Sequence, residues 1–228
     1  MITSLDGRLH PDRWSDPAGG RVADLIDAHY DATAERLGVE GWIVGRRTMG
    51  EFLDQEPSPR LLGEPRERPP HLVDAAGSDL AVAIDPSGRL RHAGGAIDGD
   101  HAVAVLSERV TDDYLARLRE CGVSYVFAGP HGDDLATAMA AIGEGFGVAH
   151  LALEGGGITN GAFLAAGLID ATSTLICPTL DGRAGIASIF DHAGPGDSAP
   201  SARQHLRLTA CETLEGGVIW LRHDIAHG

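Results

Sequence analysis

The stretch Glu154-Gly155-Gly156-Gly157-Ile158-Thr159-Asn160-Gly161-Ala162-Phe163-Leu164 follows the apolar run Val148-Ala149-His150-Leu151-Ala152-Leu153 and leads into an alanine-rich segment ending near Gly167-Leu168-Ile169-Asp170. The run has the length of a buried strand, and the segment after it has helical character. Three consecutive glycines therefore fall where a strand gives way to a helix. A helix N-terminus presents unpaired N–H donors and the positive end of a dipole, and glycines let a phosphate approach that backbone closely. A tight turn with no ligand would need one glycine. Three in a row, headed by a carboxylate, point to a ligand site.

The same alternation runs through the rest of the chain. Residues 1–5 read as the start of a strand. Arg21 to Leu37 reads as a helix with Val22, Leu25, Ile26, His29, Tyr30, Thr33 and Leu37 on one face and Gly38 as its C-cap. Gly41-Trp42-Ile43-Val44-Gly45 is a short strand, and Arg46-Arg47-Thr48-Met49 opens a helix. Residues 54–71 hold five prolines and many charges, the composition of a loop. Strands are expected at Leu80–Ile84, His101–Leu106, Val123–Phe127 and Thr172–Cys177, and helices at Thr111–Cys121 and Asp133–Ile142. Residues 181–203 read as irregular. His205–Leu214 and Val218–His223 flank Glu215-Gly216-Gly217, a hairpin signal. This order implies an α/β fold with a mostly parallel central sheet, helices on both faces and a C-terminal antiparallel hairpin. The 228 residues fit a single domain spanning 1–228.

Composition narrows the function. A formal net charge of -15 disfavours a general nucleic-acid or anionic-membrane binder, while leaving room for an anionic cofactor held by local arginines and helix ends. No apolar run approaches the roughly 20 residues of a membrane span, and no secretory leader is evident at the N-terminus. The three cysteines, Cys121, Cys177 and Cys211, are far apart and odd in number, which suggests a reduced, cytoplasmic protein. The eleven histidines form no HxH, HExxH or CxxC pattern, so no metal site is expected.

Two strand-to-helix turns carry the candidate chemistry: Gly45-Arg46-Arg47-Thr48 and Gly155-Gly156-Gly157-Ile158-Thr159. In open α/β sheets, ligands sit outside the carboxyl ends of the strands. Two helix N-termini, two arginines and a glycine turn suit the phosphates of a dinucleotide. Neither turn is a GxGxxG or GxxxxGK[ST] motif. Arg46 and Arg47 are adjacent, so at most one is expected to face a ligand. Thr48 is either a ligand residue or an N-cap. Glu154 is the sharpest candidate, because a carboxylate after an apolar strand is expensive to bury without partners. Asp6 is either a catalytic group or the cap of a turn with Gly7. Asp24 and Asp27 flank the first helix, where a solvated edge is the simpler reading.

Ser4-Leu5-Asp6-Gly7-Arg8, Gly45-Arg46-Arg47-Thr48-Met49, Asp85-Pro86-Ser87-Gly88-Arg89-Leu90, Glu154-Gly155-Gly156-Gly157 with Asn160-Gly161, and Ala166-Gly167-Leu168-Ile169-Asp170 together resemble, in order and over nearly the whole chain, the reductase domain of riboflavin biosynthesis. That domain is the C-terminal half of the bifunctional deaminase/reductase and has a dihydrofolate-reductase-like fold. The resemblance implies an NADPH-dependent reductase, a homodimer, acting on a ribosylaminopyrimidine 5′-phosphate or a similar small molecule. It implies that Thr3 approaches the nicotinamide side and that Gly45, Arg47 and Thr48, with Arg46 beside them, hold cofactor phosphate. Ser87 and Ser107, the latter with Arg109, would lie near the adenosine end and its 2′-phosphate. Gly155, Gly156 and Gly157, leading into Ile158 and Thr159, would pack on the pyrophosphate, and Glu154 would contact substrate. The chain departs from the family at Met49-Gly50-Glu51-Phe52-Leu53-Asp54, where an acidic Asp-Asp-Pro segment and a Leu-Thr-x-Arg element are usual; Arg60 is the candidate replacement. A reductase of another imine or carbonyl, a pterin included, and a nucleotide-binding protein without turnover are the alternatives.

Overall fold

The computed structural model describes residues 1–194 and 199–228. In chain order the elements are β1 (Ile2–Thr3), α1 (Val22–Glu35), β2 (Gly41–Gly45), α2 (Arg46–Met49), β3 (Asp54–Gln55), β4 (Leu80–Ile84), β5 (Leu90–Arg91), β6 (Ala96–Ile97), β7 (Asp100–Leu106), α3 (Asp112–Glu120), β8 (Ser124–Phe127), α4 (Leu135–Phe146), β9 (Ala152–Gly155), α5 (Gly157–Ala165), β10 (Ala171–Ile176), β11 (Gln204–Thr213) and β12 (Ile219–His227). They group into two compact units, Val39–Glu154 and Met1–Gly38 with Gly155–Gly228.

The unit Val39–Glu154 is built on the expected parallel sheet. Its strand order is β6-β7-β4-β2-β9, with β8 also on β7. β2, β4, β7 and β8 run parallel, with Gly45 opposite Ile84 and Ile84 opposite Val105. Strands buried on both faces read as continuous apolar runs, and Leu80-Ala81-Val82-Ala83 is buried throughout. On one face Ala81, Ala83, Ala102, Ala104 and Leu106 pack with Tyr114, Leu115 and Leu118 of α3. The small alanines let the helix approach, and Leu115 and Leu118 each contribute roughly 1.5–3 kcal/mol by burial. Thr111 caps α3, its hydroxyl accepting from Tyr114 N–H at 3.4 Å, as its position before two aspartates predicts.

The unit Met1–Gly38 with Gly155–Gly228 carries a second sheet, ordered β1-β10-β12-β11. The C-terminal hairpin is present: β11 and β12 pair antiparallel around the turn Glu215–Gly217. It sits in this second sheet beside β10, not at the end of the parallel one, a placement that strand patterning alone does not resolve. Trp220 is fully buried among Trp14, Val22, Leu175, Cys177 and Val218. Its indole N–H donates to Ser173 Oγ at 2.8 Å, and the guanidinium groups of Arg36 and Arg222 lie 4.2 and 4.3 Å from its ring centre.

Several boundaries differ from the sequence expectation. α1 ends at Glu35, with Arg36 as its C-cap; Leu37 and Gly38 form a tight turn whose N–H groups bond Ala34 and Glu35 carbonyls at 2.9 and 3.3 Å. The expected strand at Val148–Leu153 starts only at Ala152. α4 runs on to Phe146 and stops at Gly147 in the left-handed conformation, and the Glu40 carboxylate then takes the Ala149 and His150 N–H groups at 2.7 and 3.0 Å. Those bonds hold as a loop a segment whose residues have strand propensity. Within the proline-rich 54–71, Asp54–Gln55 pairs with Leu90–Arg91. The irregular 181–203 contains one isolated bridge, Arg8 with Ser188, over its described part; residues 195–198 lie outside the described residues.

Candidate functional site

In the unit Val39–Glu154, the parallel strands deliver their carboxyl ends, Gly45, Ile84, Leu106 and Phe127, to one edge of the sheet. Gly45 is the N-cap of α2, with no side-chain cap, so Thr48 lies inside the helix instead of capping it. Arg46 and Arg47 divide as their adjacency requires. The Arg46 guanidinium is drawn inward, with Nε 3.9 Å from Asp85 and Nη1 donating to Gln55 Oε1. The Gln55 amide returns a bond to the Arg46 carbonyl at 3.1 Å. Arg47 is exposed and forms no ion pair among the described residues.

Asp85 follows β4 and is completely buried. Its Oδ2 accepts from Arg89 N–H at 2.6 Å and Leu90 N–H at 2.8 Å, with the Tyr114 hydroxyl at 3.5 Å. Its Oδ1 accepts from the Ser87 hydroxyl at 3.2 Å and faces Arg46. The Tyr114 phenol also donates to Leu90 O at 3.0 Å, and burial together with the Asp85 charge holds its pKa well above the usual range. Ser107, after β7, is buried, and its Oγ accepts from Arg109 N–H at 3.4 Å. Ser107 N–H bonds Pro86 O at 3.3 Å, which ties the loop carrying Ser87 to the end of β7. The structure thus brings Arg46, Ser87 and Ser107 together around the ends of β2, β4 and β7. Asp85, Gln55 and Tyr114 were not anticipated from the sequence. Asp85 carried the signal that marked Glu154, a carboxylate directly after an apolar strand, but its Pro-Ser-Gly continuation reads as a simple strand stop.

Glu154 is half-buried on β9 and has a partner within the protein.

In the unit Met1–Gly38 with Gly155–Gly228, the glycine turn has internal reasons for its composition. Gly155 has φ +118°, a conformation L side chains rarely adopt, and the Gly155–Gly156 peptide is cis. Gly156 is the N-cap of α5, again without a side-chain cap. Gly157 lies against the chain's own segment 188–191: a Cβ there would clash with the Ser188 carbonyl and stand 2.9 Å from the Asp191 carboxylate. Asp191 N–H donates to Gly157 O at 2.9 Å. Close backbone approach at Gly157 therefore serves packing. The first N–H groups of α5, around Ile158 and Thr159, lie beyond the reach of the intrahelical ladder. Ile158 is 52% exposed and Thr159 half-buried.

At the N-terminus, Thr3 is buried, its hydroxyl donating to Arg8 O at 3.0 Å. The Asp6 carboxylate accepts from Ser4 Oγ at 2.7 Å, Gly182 N–H at 2.9 Å and Asp181 N–H at 3.1 Å. The Ser4 hydroxyl and these two amides hold its pKa down to about 2. Asp24 pairs with Arg21 in a capping box and is exposed, as is Asp27, the solvated edge expected of both. Among the described residues, no group of three or more His, Cys, Asp or Glu side chains could hold a metal ion. No helix among them is long and apolar enough to cross a membrane.

Comparison with known proteins places this architecture. Residues 1–220 match the family described as RibD C-terminal domain. The 2,5-diamino-6-ribosylamino-4(3H)-pyrimidinone 5′-phosphate reductase of Methanothermobacter thermautotrophicus is 30% identical over 140 residues, covering 60% of this chain and 64% of that protein, so the match spans less than two thirds of the relative. A pyrimidine reductase-like protein from Corynebacterium diphtheriae superposes with a TM-score of 0.66 at 17% identity, over 100% of this chain and 90% of that one. Acinetobacter baumannii RibD superposes with a TM-score of 0.56, also at 17% identity, over 99% of this chain and 56% of that one. The structural likenesses establish a shared fold, and with the match over 1–220 the chain belongs to the RibD C-terminal domain family.

Proposed function

We propose that this chain acts, as one domain over 1–228, as a riboflavin-pathway reductase that uses NADPH to reduce a ribosylaminopyrimidine 5′-phosphate. The observation that carries the reading is membership of the RibD C-terminal domain family, joined to a relative named for reduction of such a phosphate. The carboxyl-end edge of the parallel sheet supports it. In a chain of net charge -15, this edge offers at Arg47 a guanidinium with no ion pair among the described residues, and a hydroxyl at Thr48, donors suited to an anionic cofactor.

NADPH, when bound, supplies the hydride. The protein's contribution is binding, orientation and exclusion of water. We assign Gly45, Arg46, Arg47, Thr48, Ser87 and Ser107 to cofactor phosphate and adenosine, with Ser107 acting through the loop it anchors. Gly155, Gly156, Gly157, Ile158 and Thr159 are assigned to the pyrophosphate through the N–H groups of α5, and Thr3 to the nicotinamide side. Glu154 is assigned to orienting substrate. Asp6 is assigned to holding the loops at 4–8 and 181–182: a carboxyl group with a pKa of about 2 and its oxygens engaged is poorly matched to proton transfer near neutrality.

A homodimer is part of this reading. β11 is an edge strand of ten residues that exposes Leu206 at 58% and Leu208 at 56%, and such an edge is a template for pairing. A cytoplasmic location agrees with Cys121, Cys177 and Cys211 all being free thiols.

The test is NADPH oxidation with 2,5-diamino-6-ribosylamino-4(3H)-pyrimidinone 5′-phosphate and its deaminated counterpart, with their dephosphorylated forms, and with dihydrofolate. Turnover of phosphate compounds alone is expected. Equal turnover of the dephosphorylated compounds, or turnover of dihydrofolate alone, would replace the substrate assignment. NADPH binding without turnover of any of them would leave a nucleotide-binding protein.

A further inference from the structure

We infer that Asp85 is a positioning residue that orients Arg46 toward the phosphate by which NADPH differs from NADH; this rests on the cofactor reading above. The carboxylate divides its work between its two oxygens. Oδ2 is committed to the backbone, receiving the Arg89 and Leu90 N–H groups at 2.6 and 2.8 Å, with the Tyr114 hydroxyl at 3.5 Å. Oδ1 is committed to side chains, receiving the Ser87 hydroxyl at 3.2 Å and facing Arg46 Nε at 3.9 Å. The same oxygen takes the single hydroxyl proton of Ser87 and faces Arg46, so the guanidinium is the donor left to meet cofactor phosphate.

A guanidinium has five N–H donors in a fixed planar fork. Asp85 faces one edge of the Arg46 fork and Gln55 takes a donor on Nη1, so the plane is fixed while donors remain for a ligand. Pre-set donors lose less freedom on binding than mobile ones. The Asp85 charge is met inside the protein by the Arg46 guanidinium and by the Arg89 and Leu90 N–H groups, which offset its repulsion of an approaching anion. An acidic residue thereby assists the binding of phosphate.

Asp85→Asn tests the division. The amide has one acceptor oxygen, and the Arg89 and Leu90 N–H groups claim it. Its NH2 group then faces Ser87 Oγ and Arg46 Nε. The Ser87 hydroxyl can rotate and accept from it, but the Arg46 N–H meets another donor and is released. The backbone loop is kept while the Arg46 arm is lost.

Dissociation constants for NADPH and NADH would be measured by fluorescence titration of the wild-type full chain, Asp85→Asn and Tyr114→Phe. The expected result is a fall of about tenfold in NADPH affinity with NADH affinity changed less than about twofold in Asp85→Asn, and an unchanged ratio in Tyr114→Phe. Equal weakening of both cofactors, no weakening, or the same change of ratio in Tyr114→Phe would overturn the inference. Failure of the wild type to bind NADPH would overturn the cofactor reading itself, a result distinct from any of these. If Asp85→Asn does not fold, the Arg46 Nε–H resonance of the wild-type chain, identified by its loss in Arg46→Lys, decides. A rigid, exchange-protected signal supports the inference, and a freely rotating one overturns it.

Discussion

Gly157 and Asp191 are locked together: the Asp191 N–H donates to the Gly157 carbonyl at 2.9 Å, and the Asp191 carboxylate stands 2.9 Å from where a Gly157 Cβ would be. Asp191 is itself fixed, accepting from Ser188 Oγ at 2.7 Å and Ser188 N–H at 3.0 Å. Since the Ser188 carbonyl also blocks the Cβ position, the obstruction is backbone and cannot swing aside. Gly157→Ala should lower the unfolding free energy by about 1–3 kcal/mol, the range for overpacking a filled site. Urea unfolding measures this directly. A change within about 0.5 kcal/mol would mean that segment 188–191 yields readily.

His92 gives the chain a pH dependence that differs from acid unfolding by carboxylates. Both ring nitrogens are buried without a hydrogen-bond partner among the described residues, and burial holds the imidazole pKa down to about 4 from an ordinary 6.5. The unfolded chain therefore takes up this proton near pH 6.5 and the folded chain only near pH 4. Stability is full above 6.5 and declines as pH falls between those values, by roughly 3 kcal/mol in all. His92→Phe should remove most of that slope. His101, whose pKa is also lowered by burial, should leave a residual one. Urea midpoints at a series of pH values, compared between the two proteins, check it; parallel curves would place the proton uptake elsewhere.

Asp6 separates a loop anchor from a catalytic acid. Its folded pKa of about 2 lies below the ordinary 3.8, so its stabilising contribution is present above pH 4 and is lost as pH falls toward 2. Asp6→Asn should therefore be less stable than the wild type above pH 4, and should show a shallower loss of stability between pH 4 and 2. The pH profile of kcat should be unchanged in shape. A vanished limb in that profile would return Asp6 to the chemistry.

The parts of this fold that were legible in the sequence are those with local causes. Leu80–Ile84 announces a doubly buried strand by its unbroken apolar run, and Thr111 announces α3 by capping chemistry before Asp112 and Asp113. What was not legible depends on distant partners. Nothing near Val148 says that Glu40 will take the Ala149 and His150 amides and keep them out of the sheet. The site divides in the same way. Gly45-Arg46-Arg47 marked a strand-to-helix turn, but which arginine turns inward was decided by Asp85 and Gln55, residues 39 and nine positions from Arg46. Three glycines in a row suggested phosphate, yet Gly157 answers to Ser188 and Asp191, a contact no local pattern encodes.

Arg46 and Arg47 should consequently fail in different ways. Arg47 is exposed and makes no ion pair among the described residues, so Arg47→Ala should leave stability within about 0.5 kcal/mol. If it meets cofactor phosphate, it loses a charge-assisted hydrogen bond of about 1.5–3 kcal/mol, which corresponds to a rise of about 10- to 100-fold in the KM for NADPH. The salt dependence of that KM should weaken as well, because an exposed guanidinium acts through a screened field. Arg46→Ala strips Asp85 of its facing cation and Gln55 of its donor, so it should lower thermal stability and NADPH affinity together. Melting temperatures and NADPH titrations at two ionic strengths distinguish the pair. Loss of stability in Arg47→Ala, or loss of affinity without loss of stability in Arg46→Ala, would reverse the roles assigned to the two neighbours.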